Sequence, residues 1–121
     1  MNNGRKITGG KYHRQRKKRL YEAQNPSRVV VLGETKRKML RVRGGTQKTI
    51  LLKGNSANVR IGKKTQQATI INVEETPQNK FFARSNRLMK GAIIETSAGK
   101  ARITNRPSQE GQINAVLIEV K

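Results

Sequence analysis

The sequence AIIETSAGKARIT, residues 92–104, decides the fold class of this chain. Two short segments within it, residues 92–96 and 100–104, are rich in apolar and β-branched residues, and the break SAG at residues 97–99 separates them. Short β-prone runs around a tight break that contains glycine are typical of a β-hairpin. We therefore predict two antiparallel strands joined by a tight turn.

Other short β-prone segments occur along the rest of the chain, separated by Gly, Asn and Pro. They comprise residues 28–32, 37–43, 48–53, 58–61 (a weak candidate), 67–73, 80–84 and 115–120. Segment 80–84 follows Gln78 and Asn79, so we interpret it as the hairpin return of segment 67–73. Helical periodicity is absent from residue 28 onward. The pattern favours an all-β fold, and we expect a small closed barrel of short antiparallel strands because closure removes exposed edges.

Charge divides the chain into two regions. The chain holds 27 Lys and Arg against 7 acidic residues, a net charge of +20, of which residues 1–48 carry +13 and residues 49–121 carry +7. Residues 1–27 contain glycines, dense charge and little apolar content, and they end near the turn signal Asn25-Pro26-Ser27. We expect a basic arm over residues 1–27, irregular when free, and a β-barrel domain over residues 28–121.

The densest basic stretch is KYHRQRKKR, residues 11–19, and the first 19 residues hold eight Lys and Arg and no acid. A core could not bury this run, because each unpaired buried charge is costly. The alternative to a binding function is that the run is a solvated tail or a nuclear-type targeting patch. The combination with a basic domain favours binding to nucleic acid, because the arm would release the counterions that surround the phosphates.

Two glycine pairs accompany basic residues. In residues 8–10, TGG, the glycines are either a flexible hinge or a place where backbone approaches phosphate closely, and the sequence favours neither. In residues 41–45, RVRGG, strand alternation puts Arg41 and Arg43 on one face, with Val42 on the other. The segment is either a half-buried strand with a polar outer face, or a strand whose two guanidiniums bind phosphate. The basic context favours the second interpretation.

Weaker basic signals lie elsewhere. Residues 62–65, GKKT, fail the phosphate-loop pattern because Ala57 stands at the position of its first glycine, and we read them as a basic loop. Scattered cations in the second half could extend a binding surface, although each alone reads as a solvated charge. They are Arg84, Arg87, Lys90, Arg102 and Arg106.

Catalytic, metal and membrane functions have little support. The chain has no Cys, and its single His13 lies in the basic run without an acidic neighbour. The acids, among them Glu95 and Glu119, show no metal-site spacing, so we expect no enzyme, no metal, no cofactor and no small-molecule substrate. Apolar runs are too short to span a bilayer and no secretory signal is visible, so we expect an intracellular protein without a membrane partner.

Four separated motifs resemble one family. They are residues 8–11 with the basic run and Leu20-Tyr21-Glu22, then residues 41–45, then KGAIIET at residues 90–96, then residues 106–111 with NAVLI at residues 114–118. Together they resemble the archaeal and eukaryotic small-subunit ribosomal protein eight family, the eukaryotic-type family and not the universal protein that shares the number. The compact length resembles an archaeal member.

The resemblance implies an all-β barrel with a basic N-terminal extension that binds small-subunit rRNA. It implies a cytoplasmic protein of the ribosome, monomeric there, beside rRNA and neighbouring ribosomal proteins. From the residues and the resemblance together we expect these RNA contacts: Arg5, Lys6, Thr8, Gly9, Gly10, Lys11, Tyr12, His13, Arg14, Arg16, Lys17, Lys18, Arg19, Arg37, Lys38, Arg41, Arg43, Gly44, Gly45, Lys63, Lys64, Arg84, Arg87 and Arg106.

Three rival functions remain compatible with the composition. A chromatin-type DNA binder would have the same charge, and would prefer duplex DNA to folded rRNA. An RNA-modifying enzyme or nuclease would need an acid–base pair that the sequence does not offer. An RNA chaperone outside the ribosome would bind many RNAs without a defined footprint.

Overall fold

The computed structural model describes residues 4–118, and most of its regular structure is β-strand. Within these residues, eight strands, one short α-helix and one 3-10 turn follow one another in order. Glu119 and Val120, which the sequence analysis placed at the end of the last strand, lie outside the described residues.

Five strands form a closed barrel, which confirms the predicted architecture. They are β4 (Ser56–Ile61), β5 (Lys64–Glu75), β6 (Ile93–Thr96), β7 (Gly99–Ile103) and β8 (Asn114–Leu117). Four neighbouring pairs are antiparallel, and the fifth pair, β4 with β8, is parallel and closes the barrel. The parallel pair is one departure from the all-antiparallel barrel expected from the sequence.

The predicted hairpin at residues 97–99 is confirmed. Thr96 at the end of β6 pairs with Gly99 at the start of β7, so only two residues turn the chain. The Thr96 hydroxyl donates to the Gly99 carbonyl at 2.7 Å and accepts from the Ala98 N–H at 3.3 Å. Gly99 has φ of +118°, a backbone conformation that a residue with a Cβ rarely adopts.

Alternate side chains of the barrel strands form the core. Val59 of β4, Ile94 of β6 and Ile103 of β7 are fully buried. Their cluster also contains Val30 and Leu51, which lie outside the barrel strands. One apolar core therefore spans the barrel and the segment that precedes it, as expected of a chain with a modest apolar supply.

Three strands lie outside the barrel. These are β1 (Val31–Leu32), β2 (Lys36–Arg41) and β3 (Gln47–Gly54), which form a sheet in the order β1-β3-β2. Strand β2 is exposed at every position except the half-buried Leu40. A strand with charge on both faces cannot line a core, so it takes a sheet edge, where charged side chains also deter pairing with other chains.

The sheet is attached to the barrel through β3. The Leu51 N–H donates to the Pro107 carbonyl at 3.1 Å, and Leu51 belongs to the common core. At the end of β3, a Cβ on Gly54 would stand 2.9 Å from a Leu51 methyl and 3.2 Å from an Ile113 methyl. The absence of a side chain at Gly54 lets the sheet approach the barrel closely.

Segment 80–84, predicted as a strand, is instead the helix α1 (Lys80–Arg84), so that prediction was wrong. The Asn79 side chain accepts a hydrogen bond from the Phe81 N–H at 3.0 Å and caps the helix N-terminus. The position of the segment after Gln78 and Asn79 suggested a hairpin return, but Asn79 caps a helix and decided the local conformation.

Several element boundaries also differ from the predictions. Strand β1 covers only two residues of segment 28–32, and both pair with the end of β3. Strand β5 has 12 residues and begins at Lys64, so the predicted basic loop is a tight turn at Gly62 and Lys63. The weak candidate 58–61 is β4, which pairs with strands on both sides.

In the arm, the one regular element among residues 4–27 is a 3-10 turn, Leu20–Glu22. The Glu22 carboxylate accepts two hydrogen bonds from the Arg16 guanidinium, at 2.6 and 2.8 Å, and one from the Arg19 N–H at 3.1 Å. This contact fixes the turn at the end of the basic run.

The turn between β7 and β8 is organised by one side chain. The Asn105 amide nitrogen donates to the Glu110 carboxylate at 2.8 Å and the Gln112 carbonyl at 2.7 Å, while its oxygen accepts from the Asn114 N–H at 3.0 Å. Asn105 therefore holds the whole segment 105–114 in one shape.

Asn105→Ala should lower the free energy of unfolding by about 1–3 kcal/mol, because partners in a partly buried loop lose their hydrogen bonds. Urea denaturation followed by circular dichroism measures this. Gln109→Ala is the matched control, since Gln109 is exposed in the same loop. Equal stability of both variants would show that the Asn105 bonds do not hold the loop.

The Glu22 contact should depend on pH. The Arg16 hydrogen bonds, and after them the Arg19 N–H, lower the pKa of Glu22 below its ordinary value of 4.5. A carboxyl whose pKa is lowered on folding contributes stability above its unfolded pKa and loses it as the pH falls through the folded pKa. The turn should therefore be present at neutral pH and lost in acid.

A carbon-detected NMR titration of Glu22 should give a midpoint below 4.5. Arg16→Gln should move the midpoint back towards that ordinary value, while Arg14→Gln, on the same arm, should leave it in place. A wild-type midpoint at the ordinary value would contradict the contact.

Candidate nucleic-acid interface

The basic arm is exposed along its described length. Every residue from 4 to 29 is exposed, including apolar Ile7 at 108% and Leu20 at 94%. Apolar side chains this open contribute nothing to a core, so packing does not hold the arm against the domain. The arm is available along its whole surface for a partner.

The glycines of residues 8–10 form a tight turn. The Lys6 N–H donates to the Gly10 carbonyl at 2.9 Å, and the Gly9 N–H donates to the Lys6 carbonyl at 2.8 Å. The Arg5 guanidinium also donates to the Gly9 carbonyl at 3.1 Å, and Gly9 has φ of +79°. Gly9 is therefore needed for a turn that presents Arg5, Lys6 and Lys11 at one end of the arm.

Most cations of the basic run have no acidic partner. Within residues 4–118, the ion pairs are Arg16 with Glu22 and Lys100 with Glu74. Lys6 lies 5.7 Å from the Tyr12 ring centroid, and Arg19 lies 6.0 Å from that of Tyr21. The Lys and Arg among the remaining expected arm contacts carry charge without an acidic partner. These contacts, all of them exposed, are Thr8, Gly10, Lys11, His13, Arg14, Lys17 and Lys18.

A second group of expected residues lies along β2 and the turn after it. Lys38 and Arg41 are exposed strand residues, whereas the exposed Arg37 donates its Nε–H to the Gly111 carbonyl at 2.6 Å. Arg37 thus has a structural contact that sequence reasoning did not reveal. Its bond joins the sheet edge to the loop before β8.

Residues 41–45 partly follow the predicted alternation. Arg41 and Arg43 are exposed and Val42 between them is half-buried, although Arg43 stands in the turn after β2 rather than in the strand. Gly44 and Gly45 have φ of +85° and +79°, so both glycines are required by the turn. Both arginines are exposed to solvent at the end of the sheet.

The expected residues of the domain are distributed over separate elements. Lys63 and Lys64 are exposed at the turn that joins β4 and β5. Arg84, in α1, is exposed and lies 5.7 Å from the Phe81 ring centroid. The structure does not gather these three into one compact site.

One groove does bring distant cations together. Arg28, Arg87, Lys90 and Arg106 line a cavity of about 420 Å³ between the end of the arm, the segment after α1 and the loop before β8. Sequence analysis had noted three of them as scattered charges and had missed Arg28. Their sequence separation leaves no local pattern, so nothing in the sequence would have grouped them.

Electrostatics elsewhere on the domain are ordinary for an exposed surface. The Lys100 ammonium donates a hydrogen bond to the Glu74 carboxylate at 2.9 Å, which together with the Glu74 charge raises the pKa of Lys100. The charge of Glu95 contributes more weakly to the same increase in the pKa of Lys100. This cluster keeps the protonated amine and offers no acid–base chemistry at neutral pH.

Two further observations concern the part of the chain that the structure describes. No helix there is long and apolar enough to cross a membrane. No group of three or more His, Asp or Glu side chains stands close enough together there to hold a metal ion. The described residues present a high density of exposed positive charge on regular and irregular segments. Such a surface is favourable for binding a polyanion.

Comparisons with known proteins agree with this picture. A family model described as ribosomal protein S8e matches residues 1–118. The chain is 45% identical to small ribosomal subunit protein eS8 of Haloarcula marismortui, over 95% of this chain and 94% of the relative. It is 45% identical to the Methanocella arvoryzae protein of the same name, over 94% and 93%, and 44% identical to that of Pyrobaculum aerophilum, over 95% and 91%.

The match covers nearly the full length of the chain and of its archaeal relatives, so the resemblance seen in the four sequence motifs is confirmed. The prediction of a ribosomal protein rather than an enzyme is confirmed with it. This chain belongs to the ribosomal protein S8e family.

Proposed function

We propose that this protein is a structural component of the small ribosomal subunit that binds rRNA through phosphate contacts and shape. The relatives are named as small-subunit proteins, which supports the assignment of this protein to the small subunit. The observation that carries the mode of binding is the arm: residues 4–29 are exposed throughout, and eight Lys and Arg fall within the first 19 residues. Such a segment gains free energy only against a polyanion.

The arm and the domain have different roles in this proposal. The arm orders on RNA and runs between rRNA segments, where its cations neutralise phosphate repulsion and let the segments pack. The barrel and its attached sheet dock as a rigid body that sets the position of the arm. The exposed cations of β2 and of the β4–β5 turn add contacts from the domain.

Recognition should depend on RNA shape more than on base sequence. A-form RNA has a deep, narrow major groove that side chains cannot read, and the chain has only four aromatic residues for stacking. We propose that the protein is a monomer in the ribosome beside other ribosomal proteins, with the site residues expected from the sequence as its rRNA contacts.

Deletion of residues 1–19 should weaken binding to small-subunit rRNA strongly and leave the domain folded, because the arm contributes charge and no core side chain. Filter binding measures the affinity, and circular dichroism measures the fold. As a control of equal length, the eight Lys and Arg of residues 1–19 are changed to Gln, and the same loss is expected. Unchanged affinity, or an unfolded deletion variant, would refute this division of roles.

Binding should also weaken steeply as salt rises. The logarithm of the association constant should fall linearly with the logarithm of salt concentration, with a slope equivalent to roughly 6–10 phosphate contacts. The arm deletion should reduce that slope, because fewer counterions are released. A slope near zero for the full chain would rule out phosphate neutralisation as the source of affinity.

A further inference from the structure

We propose that the groove lined by Arg28, Arg87, Lys90 and Arg106 is a pocket for one unpaired RNA nucleotide. This inference rests on the proposed function and specifies a binding mode that goes beyond phosphate contacts along the arm. The phosphate lies among the cations, and the base lies against the half-buried Phe82 and the guanidinium stacked on it. The basic groove and the aromatic contact together define the nucleotide pocket.

The nucleotide pocket has the size and charge for this ligand. Its volume of about 420 Å³ falls within the range of roughly 300–1,000 Å³ that is usual for small-ligand sites. The charged side chains lining it are all cationic. An anionic ligand in this groove would therefore meet cations and no carboxylate.

Arg87 is the central residue of the pocket. Its Nε is buried and has no hydrogen-bond partner, and its Cζ lies 4.2 Å from the Phe82 ring centroid. Buried polar groups in proteins nearly always have a partner, so Arg87 stands out as a cation beside the groove with an unused hydrogen-bond donor.

The backbone holds Arg87 rigidly in place. Its N–H donates to the Phe82 carbonyl at 3.1 Å, and the neighbouring Leu88 N–H donates to the Val30 carbonyl at 2.9 Å. Arg87 also forms a bridge with Val31 of β1. These bonds fix the backbone of Arg87, and the contact of its guanidinium with the Phe82 ring places the side chain before a ligand arrives, which reduces the entropy lost on binding.

An apolar wall completes the pocket. Phe82, Leu88 and Pro107 line it beside the cations, and Leu88 and Pro107 are fully buried. Unpaired bases stack on aromatic rings and arginine planes, whereas a phosphate alone has no use for such a wall. The combination favours a nucleotide over a free phosphate.

Continuity with the arm favours RNA over an acidic peptide. Ser27, the last residue of the arm, and residues 28–30 directly after it form one side of the pocket, so an RNA strand that follows the basic arm would pass directly into it. The strand then needs one unpaired nucleotide at this point to fill the pocket.

The test uses the full-length protein and adenosine 5′-monophosphate as the probe, with inorganic phosphate and adenosine as comparisons. In ¹H–¹⁵N NMR spectra, the monophosphate should shift the Arg87 Nε–H and the Leu88 and Met89 amides. It should bind about tenfold more tightly than either comparison, because stacking adds to the phosphate contact.

Arg87→Gln should lower the affinity for the monophosphate about tenfold. Arg60→Gln removes the same charge from the exposed surface of β4, away from the pocket, and should leave the affinity unchanged. Circular dichroism establishes that both variants are folded. An equal loss in the two variants would show a general charge effect and overturn the pocket.

The adjacent phenylalanines provide a second matched pair. Phe82→Leu should weaken binding of the monophosphate and leave binding of inorganic phosphate unchanged. Phe81→Leu should change neither, because Phe81 is 67% exposed and does not line the pocket. This pair keeps the proposal testable if Arg87→Gln fails to fold.

Two results would overturn the proposal. Shifts spread over the arm, with equal affinity for the monophosphate and inorganic phosphate, would show non-specific ion binding. Tighter binding of a glutamate-rich peptide at the same amides would identify a protein partner instead. In either case, filter binding of the same wild-type protein to small-subunit rRNA reports separately on the proposed function, which fails only if that binding is lost.

Discussion

The parallel pairing of β4 with β8 is the contact on which the rest of the structure depends. Asn58 is opposite Asn114 in the register, their side chains are joined at 3.2 Å, and the Asn58 N–H donates to the Ile113 carbonyl at 2.8 Å. Without this pair, both strands would be open edges and the core would be exposed between them. Residues 104–113 connect β7 to β8. Within this connection, the Pro107 carbonyl accepts a hydrogen bond from β3, and Arg106 lines the groove. Closure of the barrel thus also attaches the sheet and completes the candidate pocket.

Charge imposes the second constraint. With a net charge of +20 and 33% hydrophobic residues, the chain can build only a small core and must keep its cations in solvent or against anions. The fold meets both conditions by separation: apolar side chains converge in one cluster, and the cations occupy the arm, the edge strand β2 and tight turns. The rRNA contacts proposed for this member of the ribosomal protein S8e family would explain the separation, because phosphates supply the counter-charge that the free chain lacks.

Sequence reasoning succeeded where the signal was local. The hairpin at residues 97–99 and the β-prone segment 67–73 were predicted, because strand propensity and turn chemistry act over a few residues. It failed at Lys80–Arg84, where Gln78 and Asn79 suggested a hairpin turn and Asn79 instead caps a helix. It also undervalued β4, whose short segment has a weak pattern of its own and owes its conformation to pairing on both sides. Likewise, no local pattern separates the β1-β3-β2 sheet from the barrel.

The sequence by itself determined the all-β class and the basic arm, and it supports the proposal of a polyanionic partner, because composition, short-range periodicity and net charge do not depend on which segments meet. Only the tertiary structure decided the partner of each strand, the parallel closure and the separate sheet, since these follow from the free energy of burying many distant side chains together. The same is true of the groove. Arg28, Arg87, Lys90 and Arg106 come from three separate parts of the chain, and they converge because the core holds the end of the arm, the segment after α1 and the loop before β8 against one another.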